Sequence, residues 1–332
     1  MTASIRHSVL LVVLSLVTFS VGCGPVGGYK VTPVPVDQSL QEQVVYRDPG
    51  WVTDRIAVID LNGVLINERE SSFLSEGEQP VSLFVEKLNA AAADSRVKAV
   101  VLRINSPGGT VTASDAMYQE VLRFREQTKK PVIAYFQDFA TSGAYYVACA
   151  ADVIAAQRTS VTGSIGVVMQ MVDFSGTMSK LGISAEAITS GPYKDAGSPF
   201  RKMKPEEREV FQHIVDGFYN QFVDVVATGR PNLAREKIVT IADGRIYTAD
   251  QAKEAGLVDE ITTLCGVVDL AKQRAGLKSA VTVLYHRPLE WAPTIYATSP
   301  QGQPQAVNLI NINLPKVWTS RPCFMYILYT DK

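Results

Sequence analysis

The feature that most constrains the fold is a regular alternation of short apolar runs with amphipathic segments, which begins at Trp51. Residues 55–61 and 97–104 are rich in β-branched side chains and predict buried strands, whereas residues 80–93 and 110–127 have the spacing of amphipathic helices. Strands that alternate with helices pair in parallel through right-handed crossovers. The sequence therefore predicts an α/β domain.

The same pattern extends over most of the chain. Further strands are expected at residues 131–136, 152–156, 183–189 and 257–261, and further helices at residues 142–151, 174–181, 205–228 and 248–255. The helix over 205–228 carries an apolar stripe that is wide enough to serve a subunit contact as well as the core. There is no internal repeat of the domain, which predicts a single-unit chain.

Composition divides the chain into four parts. Residues 1–22 have a basic start, a short apolar core and small residues, which indicates a signal peptide or membrane anchor. Residues 23–50 are rich in Pro and Gly and predict a linker, and residues 51–285 form the folded domain. Residues 286–332 contain six prolines without apolar periodicity and predict an extended C-terminal tail.

Cys23 bears on how the N-terminus is held. Residues 20–23 (SVGC) resemble a bacterial lipobox, in which the cysteine is lipidated and becomes the new N-terminus, although Ser20 stands where leucine is usual. The alternatives are an uncleaved signal anchor and ordinary signal peptidase cleavage nearby. All three place the body outside the cytoplasm, and a single anchor would hold it at a membrane of the bacterial cell envelope.

Charge and motif content exclude several classes of function. Lys and Arg total 32 against 33 Asp and Glu, so no basic surplus indicates a nucleic-acid partner. The four cysteines form no CxxC pair and there is no H-E-x-x-H motif, so a zinc-dependent hydrolase is not expected. None of the three histidines falls in a predicted strand-end loop, which leaves a Ser-His-Asp triad without its base.

Two segments interrupt the alternation at points where a strand is followed by a helix. Residues 105–109 (NSPGG) contain paired glycines that permit positive φ and a close backbone approach, and the free N–H groups of the next helix can bind an anion. In residues 140–146 (ATSGAYY), Ser142 is either a nucleophile or the N-cap of the following helix. On spacing alone, a plain turn and a plain N-cap are the simpler explanations.

Lys194 is the candidate base once the histidines are set aside. It lies in residues 190–199 (SGPYKDAGSP), after a predicted strand. A lysine can act as a base where burial with little countercharge favours its neutral form. The alternative is a solvated surface charge, and the neighbouring Asp195 would favour the charged amine.

Taken in order along the chain, four segments resemble the signal peptide peptidase A (protease IV) family. They are the NSPGG loop, the SGAYY segment that begins at Ser142 (SGGYY in the family), residues 162–167 (TGSIGV) and residues 190–200 (SGPYKDAGSPF). The resemblance covers roughly residues 55–285. It implies the Clp-protease/crotonase-like fold, a repeated ββα spiral with mostly parallel sheets and outer helices.

The resemblance also implies a serine endopeptidase with a Ser-Lys dyad and no metal or cofactor. Ser142 is then the nucleophile, Lys194 the general base and Ser164 the residue that orients the lysine, while backbone N–H groups of Gly109 and Gly143 hold the oxyanion. Expected partners are peptides such as released signal peptides, and copies of the chain in a homo-oligomeric ring. In such a ring, Ser142 of one chain can meet Lys194 of another.

Two alternatives use the same fold. One is an inactive oligomeric scaffold at the membrane, and the other is a crotonase-like acyl-thioester enzyme. A further hypothesis concerns residues 322–329 (PCFMYILY), an extended apolar segment that resembles a substrate. This segment is predicted to lie in the substrate groove of its own or a neighbouring chain, with a disordered or separately packed end as the alternative.

Overall fold

The computed structural model describes residues 39–68, 71–72, 75–76, 78–287 and 324–327. The predicted signal segment, its candidate lipidation site Cys23 and most of the Pro-rich tail lie outside the described residues. Within the described ranges, no helix is long and apolar enough to cross a membrane.

Most of the described strands belong to one central sheet. The strands are β1 (Gln41–Arg47), β2 (Arg55–Asn62), β3 (Ser71–Ser72), β4 (Ser75–Glu76), β5 (Val97–Ser106), β6 (Gly108–Thr110), β7 (Val132–Thr141), β8 (Val153–Ala156), β9 (Val161–Gly163), β10 (Val168–Met169), β11 (Ile246–Thr248), β12 (Glu260–Ile261), β13 (Val281–His286) and β14 (Phe324–Ile327). The central sheet has the order β1-β13-β2-β5-β7-β8-β12, and β9 pairs with both β7 and β11. Its pairings are parallel except for β1 with β13 and β9 with β11.

Helices cover both faces of the central sheet. They are α1 (Pro80–Ala93), α2 (Val111–Thr128), α3 (Gly143–Ala148), α4 (Ser175–Lys180), α5 (Pro205–Gly229), α6 (Arg235–Ile241), α7 (Ala249–Glu254) and α8 (Leu264–Arg274). Because side chains alternate along a strand, β2 directs Ala57 and Ile59 to the face covered by α1, α2 and α3, and Ile56 and Val58 to the face covered by α8. Burial on both faces explains why the strands appear in the sequence as continuous apolar runs.

The predicted α/β architecture, with a mostly parallel sheet and outer helices, is confirmed. The helix predicted for residues 80–93 has those bounds, and the helix predicted for 205–228 extends only one residue further, to Gly229. Both helices begin with proline, whose fixed φ and missing N–H suit the first helical position. The strand before Ser142 is longer than predicted, because β7 continues to Thr141.

Three boundaries differ from the prediction. No strand forms over residues 183–189, where Ile183 and Ile188 are exposed and none of the described strands supplies a partner. Within the segment expected to be linker, residues 41–47 form β1, an edge strand whose slight burial leaves little apolar periodicity to detect. The tail expected from residue 286 does not stay separate, because residues 324–327 return to the domain as β14.

Candidate active site

Three neighbouring parallel strands end side by side. Ser106 of β5 lies opposite Ala140 of β7, and Thr141 of β7 lies opposite Gly163 of β9. These strands lead directly into the NSPGG glycines and the two predicted site serines, so the fold brings three of the four motifs to one edge of the sheet. Parallel α/β sheets bind ligands at this edge, beyond the carboxyl ends of the strands.

Ser142 has a backbone conformation that side chains rarely adopt. Its φ is 54° and its ψ is −117°, and it shares positive φ with Ser164 and Lys129 alone among the described non-glycine residues. The Ser142 side chain makes no capping hydrogen bond to α3, so the N-cap explanation does not hold. Such strain costs about 1–3 kcal/mol and persists only where the surroundings enforce it, as they do at functional sites.

Two backbone hydrogen bonds hold Ser142 in this conformation. Its N–H donates to the Gly163 carbonyl oxygen at 2.7 Å, and its own carbonyl oxygen accepts from the Tyr146 N–H at 2.9 Å. The first bond ties Ser142 to the end of β9, and the second begins α3. The side-chain hydroxyl is therefore left without a structural task in the helix.

The glycine loop that precedes α2 pairs with Leu65 on one of its two sides. The Ser106 Oγ accepts from the Gly108 N–H at 3.1 Å and closes the turn. Leu65 then pairs with the loop, because its N–H donates to the Gly108 carbonyl at 2.9 Å and its carbonyl accepts from the Thr110 N–H at 2.8 Å. The opposite side of the loop faces the C-terminal segment.

That opposite side pairs with β14, from the end of the chain itself. β14 runs antiparallel to β6 with Tyr326 opposite Gly109, and its other edge pairs with β10 through Val168 and Met169. It is therefore the central strand of a three-stranded sheet. Residues 324–327 of the tail thus contact the glycine loop, and the placement of the tail in a substrate groove stays a prediction.

The Tyr326 carbonyl oxygen lies close to the glycines of the predicted oxyanion site. A Cβ added to Gly108 would stand 2.1 Å from this oxygen and 2.7 Å from the Gly143 nitrogen. A Cβ added to Gly143 would stand 3.0 Å from the same oxygen and 3.2 Å from the Gly109 nitrogen. Glycine at these positions thus leaves room for a peptide carbonyl beside the backbone nitrogens of Gly109 and Gly143, which neighbours Ser142.

The Tyr326 side chain fills an aromatic pocket. Its ring is fully buried, stacks on Tyr146 with centroids 5.2 Å apart and packs against Phe222 at 4.7 Å. Its hydroxyl donates to the Phe218 carbonyl oxygen at 2.8 Å. Burial raises the pKa of Tyr326, so the phenol stays neutral and remains a donor. The pocket therefore holds a tyrosine by ring packing and one hydrogen bond.

Sequence reasoning did not find the walls of this pocket. Tyr146 belongs to the SGAYY segment and Phe222 to the apolar stripe of α5, where an aromatic residue in the core and one in a pocket give the same signal. The Tyr146 ring is fixed because its hydroxyl donates to Asp115 Oδ1 at 2.8 Å and accepts from Gln221 Nε2 at 3.1 Å.

Lys194 and Ser142 differ in their exposure within one chain. Ser142 is 1% exposed, whereas Lys194 is exposed in the loop before α5, and no hydrogen bond joins these two described residues. Ser164 lies at the same sheet edge as Ser142, is largely buried, and donates its backbone N–H to the Arg245 carbonyl at 2.7 Å. The catalytic roles assigned to these three residues stay predictions.

Comparison with known proteins places the chain among proteases. It matches the model of peptidase family S49 over residues 124–278 and that of Clp protease over residues 54–191. The putative signal peptide peptidase SppA of Enterococcus faecium is 35% identical over 238 residues, which cover 72% of this chain and 69% of that protein.

Two further relatives extend this picture. The putative protease MJ0651 of Methanocaldococcus jannaschii is 41% identical over 202 residues, 61% of this chain and 64% of that protein. The chloroplastic serine protease SPPA of Arabidopsis thaliana is 34% identical over 247 residues, 73% of this chain but 36% of that protein. The chain thus spans less than two thirds of the length of these two relatives. Together the matches support a serine protease.

Proposed function

Since the chain belongs to peptidase family S49, we propose that it is a serine endopeptidase that cleaves extended peptides with a Ser-Lys dyad. One observation carries this proposal: β14 lies beside Ser142 as a peptide substrate would, paired along its backbone and with the Tyr326 carbonyl near Gly109 and Gly143. Domains that bind a peptide as an added strand take affinity from main-chain hydrogen bonds and specificity from side-chain pockets. The bond to be cleaved would then follow the residue in the aromatic pocket.

The proposed reaction uses groups at the sheet edge and one lysine. The Ser142 Oγ attacks the peptide carbonyl carbon, and the N–H groups of Gly109 and Gly143 stabilise the negative charge that develops on the oxygen. Neutral Lys194 accepts the serine proton and donates it to the leaving amine, while Ser164 orients the lysine. Water activated by the same lysine then hydrolyses the acyl-enzyme.

We propose that Lys194 reaches Ser142 from a neighbouring copy of the chain. The segment around the lysine exposes seven large apolar side chains: Val172, Phe174, Leu181, Ile183, Ile188, Tyr193 and Phe200. Exposed apolar surface of this extent is uncommon in a monomer and is typical of a subunit contact. A second copy that covers this segment would bury the lysine beside the partner's site, and burial favours the neutral amine.

Co-expression of two inactive variants tests the dyad and its location. Ser142→Ala and Lys194→Ala should each lack activity on a peptide that carries tyrosine before the cleaved bond. In mixed rings from equal amounts of both, about a quarter of the sites would pair an intact serine with an intact lysine from the next subunit. We therefore expect about a quarter of wild-type activity per site, measured by release of a fluorescent product.

Other outcomes of this experiment separate the alternatives. Mixed rings that stay inactive would contradict a dyad shared between subunits, and an active Lys194→Ala variant would show that the base is misassigned. A wild-type protein that assembles but never cleaves would support the scaffold alternative. Coenzyme A retained on purification would support the acyl-thioester enzyme.

We also propose that Cys23 tethers the enzyme to a membrane, where signal peptides released during secretion are its substrates. The proposal rests on the SVGC sequence and on the SppA relative. Cys23→Ala should move most of the protein from the membrane fraction to the soluble fraction of the cell envelope. An unchanged distribution and an unchanged mass of the mature protein would contradict the lipid anchor.

Removal of the tail should make the enzyme more active at low substrate concentration. If β14 occupies the substrate groove, only the fraction of sites free of the tail binds peptide, which raises the apparent KM. Truncation at Pro315 should therefore lower KM roughly tenfold and leave kcat unchanged. Tyr326→Ala in the full chain should lower KM in the same direction, because it empties the aromatic pocket. A KM unaffected by both changes would show that the tail does not compete with substrate.

A further inference from the structure

Arg201 joins the residue beside the proposed base to the start of the longest described helix. Its Nε and Nη2 donate to the two carboxylate oxygens of Asp195 at 2.7 and 2.8 Å. Its Nη1 and Nη2 donate to the two carboxylate oxygens of Glu207 at 2.9 and 2.6 Å. The remaining Nη1–H donates to the Lys202 carbonyl at 3.1 Å, so all five donors of the guanidinium are used.

Glu207 anchors these hydrogen bonds of Arg201 to the first turn of α5. Its side chain is 1% exposed and accepts from the Lys204 N–H at 3.0 Å, in the first turn of α5. Arg201 therefore connects a buried carboxylate on a rigid helix with the partly exposed carboxylate of Asp195. The other backbone hydrogen bonds of the loop around Lys194 are short-range turns, such as Lys194 N–H to the Gly191 carbonyl at 3.2 Å, and one longer contact from the Phe174 N–H to the Pro199 carbonyl at 2.7 Å.

This connection answers the objection that Asp195 raises against Lys194 as a base. A carboxylate next to a lysine favours the charged amine, which accepts no proton. Both Asp195 oxygens, however, are engaged by Arg201, whose hydrogen bonds hold the pKa of Asp195 below its ordinary value with a further contribution from the positive charge of Lys204. Among the described residues, no ion pair joins Asp195 to Lys194.

We propose that Arg201 is a positioning residue for the reaction, which holds the Asp195 carboxylate so that it does not pair with the Lys194 amine. The inference rests on the proposed function, since it requires Lys194 to be the base. It also assigns Arg201 a geometric task, because a bidentate guanidinium fixes the orientation of a carboxylate as a lysine ammonium does not. Arg201 thereby also ties the loop that carries Lys194 and Asp195 to the first turn of α5.

The pH dependence of kcat/KM separates this role from a general effect on folding. In Arg201→Gln, the released Asp195 carboxylate can pair with Lys194 and favour its charged form. Because the base must be neutral, the rising limb of kcat/KM against pH should move up by about one unit, with activity about tenfold lower near pH 7 and recovered at high pH. Loss of activity by the same factor at all pH values would overturn the proposal.

A pair of double variants provides the matched control. When Asp195→Asn is added to Arg201→Gln, the rising limb of kcat/KM against pH should return to its wild-type position. The carboxylate that stabilises the charged form of Lys194 is then absent. Glu207→Gln in the same background should not return the limb, although it removes the other carboxylate that Arg201 binds. Equal rescue by both, or rescue by neither, would contradict the proposal.

Single variants keep the test informative if Arg201→Gln folds poorly. Asp195→Asn alone preserves the contact of Arg201 with Glu207 and should leave the rising limb of kcat/KM at its wild-type pH. Arg201→Lys should move this limb to higher pH by less than Arg201→Gln does. An Arg201→Lys profile identical to wild type would overturn the proposal. The proposed function fails separately: if Lys194→Ala retains activity, Lys194 is not the base, whatever Arg201 does.

Discussion

Replacement of Ser142 with alanine should lower kcat/KM for peptide hydrolysis by at least about 10³-fold. The hydroxyl is not used to cap α3, and its residue is held at a φ of 54° by hydrogen bonds of the backbone alone. Alanine should therefore keep the local structure and remove only the attacking oxygen. The measurements are steady-state kinetics on a peptide whose tyrosine can enter the aromatic pocket and a thermal unfolding curve, which shows whether the variant is folded.

Two control variants make this result specific. Ser160 is equally buried, at 1% exposure, and donates to the Phe136 carbonyl at 2.9 Å, so Ser160→Ala should cost stability and keep activity. Ser142→Gly should be as inactive as Ser142→Ala yet raise the free energy of unfolding by about 1 kcal/mol, because glycine adopts positive φ without strain. Residual activity above a few per cent in both Ser142 variants would show that another group is the nucleophile.

Replacement of Gly108 with alanine should lower kcat/KM by about 10²- to 10³-fold, the cost of losing one oxyanion donor. The new Cβ would stand 2.1 Å from the place of the Tyr326 carbonyl oxygen and 2.7 Å from the Gly143 nitrogen. It would thus fill the space where a substrate carbonyl must lie and press on one of its donors. Because both effects act on the reacting carbonyl, we expect kcat to fall as well as the affinity for substrate.

Gly50 offers a matched control for the backbone of this variant. Its φ is 100° against 99° for Gly108, but a Cβ at Gly50 would meet no atom within 4 Å. Gly50→Ala should therefore carry the same conformational strain, lower the melting temperature by a few degrees and keep wild-type kinetics. If both variants lose activity equally, strain and not the blocked carbonyl site is responsible.

The amount of structure that could be predicted from sequence followed the degree of burial. β2 and β5 are covered on both faces and their apolar runs predict them, whereas the exposed edge strand β1 has no such run and its sequence indicates a linker. Residues 183–189 show the opposite error, since their β-branched side chains predict a strand but no described strand pairs with them. A strand is defined by its partner, and a local pattern does not contain the partner.

The same reasoning explains what could be predicted of the site. Ser142 and the NSPGG glycines are indicated by the sequence because each follows a predicted buried strand, whereas Ser164 is indicated only by the resemblance of residues 162–167 to the family motif. Ser142 and Ser164 lie at the same sheet edge because β7 and β9 pair with Thr141 opposite Gly163. The amino-acid sequence does not predict this register. The aromatic pocket could not be predicted because Tyr146 and Phe222 come from distant segments, and the pairing of Lys194 with Ser142 stays a proposal.

The pairing of β14 on both edges has a consequence for what the enzyme can attack. A chain that replaces β14 must present unoccupied N–H and C=O groups to β6 and to β10 at once. In a helix or an intact sheet, the backbone N–H and C=O groups are already hydrogen-bonded to neighbouring residues or strands. If substrates take the place of β14 as proposed, a segment would be cleaved only where its backbone N–H and C=O groups are unpaired, and residues inside folded helices or sheets would be poor substrates.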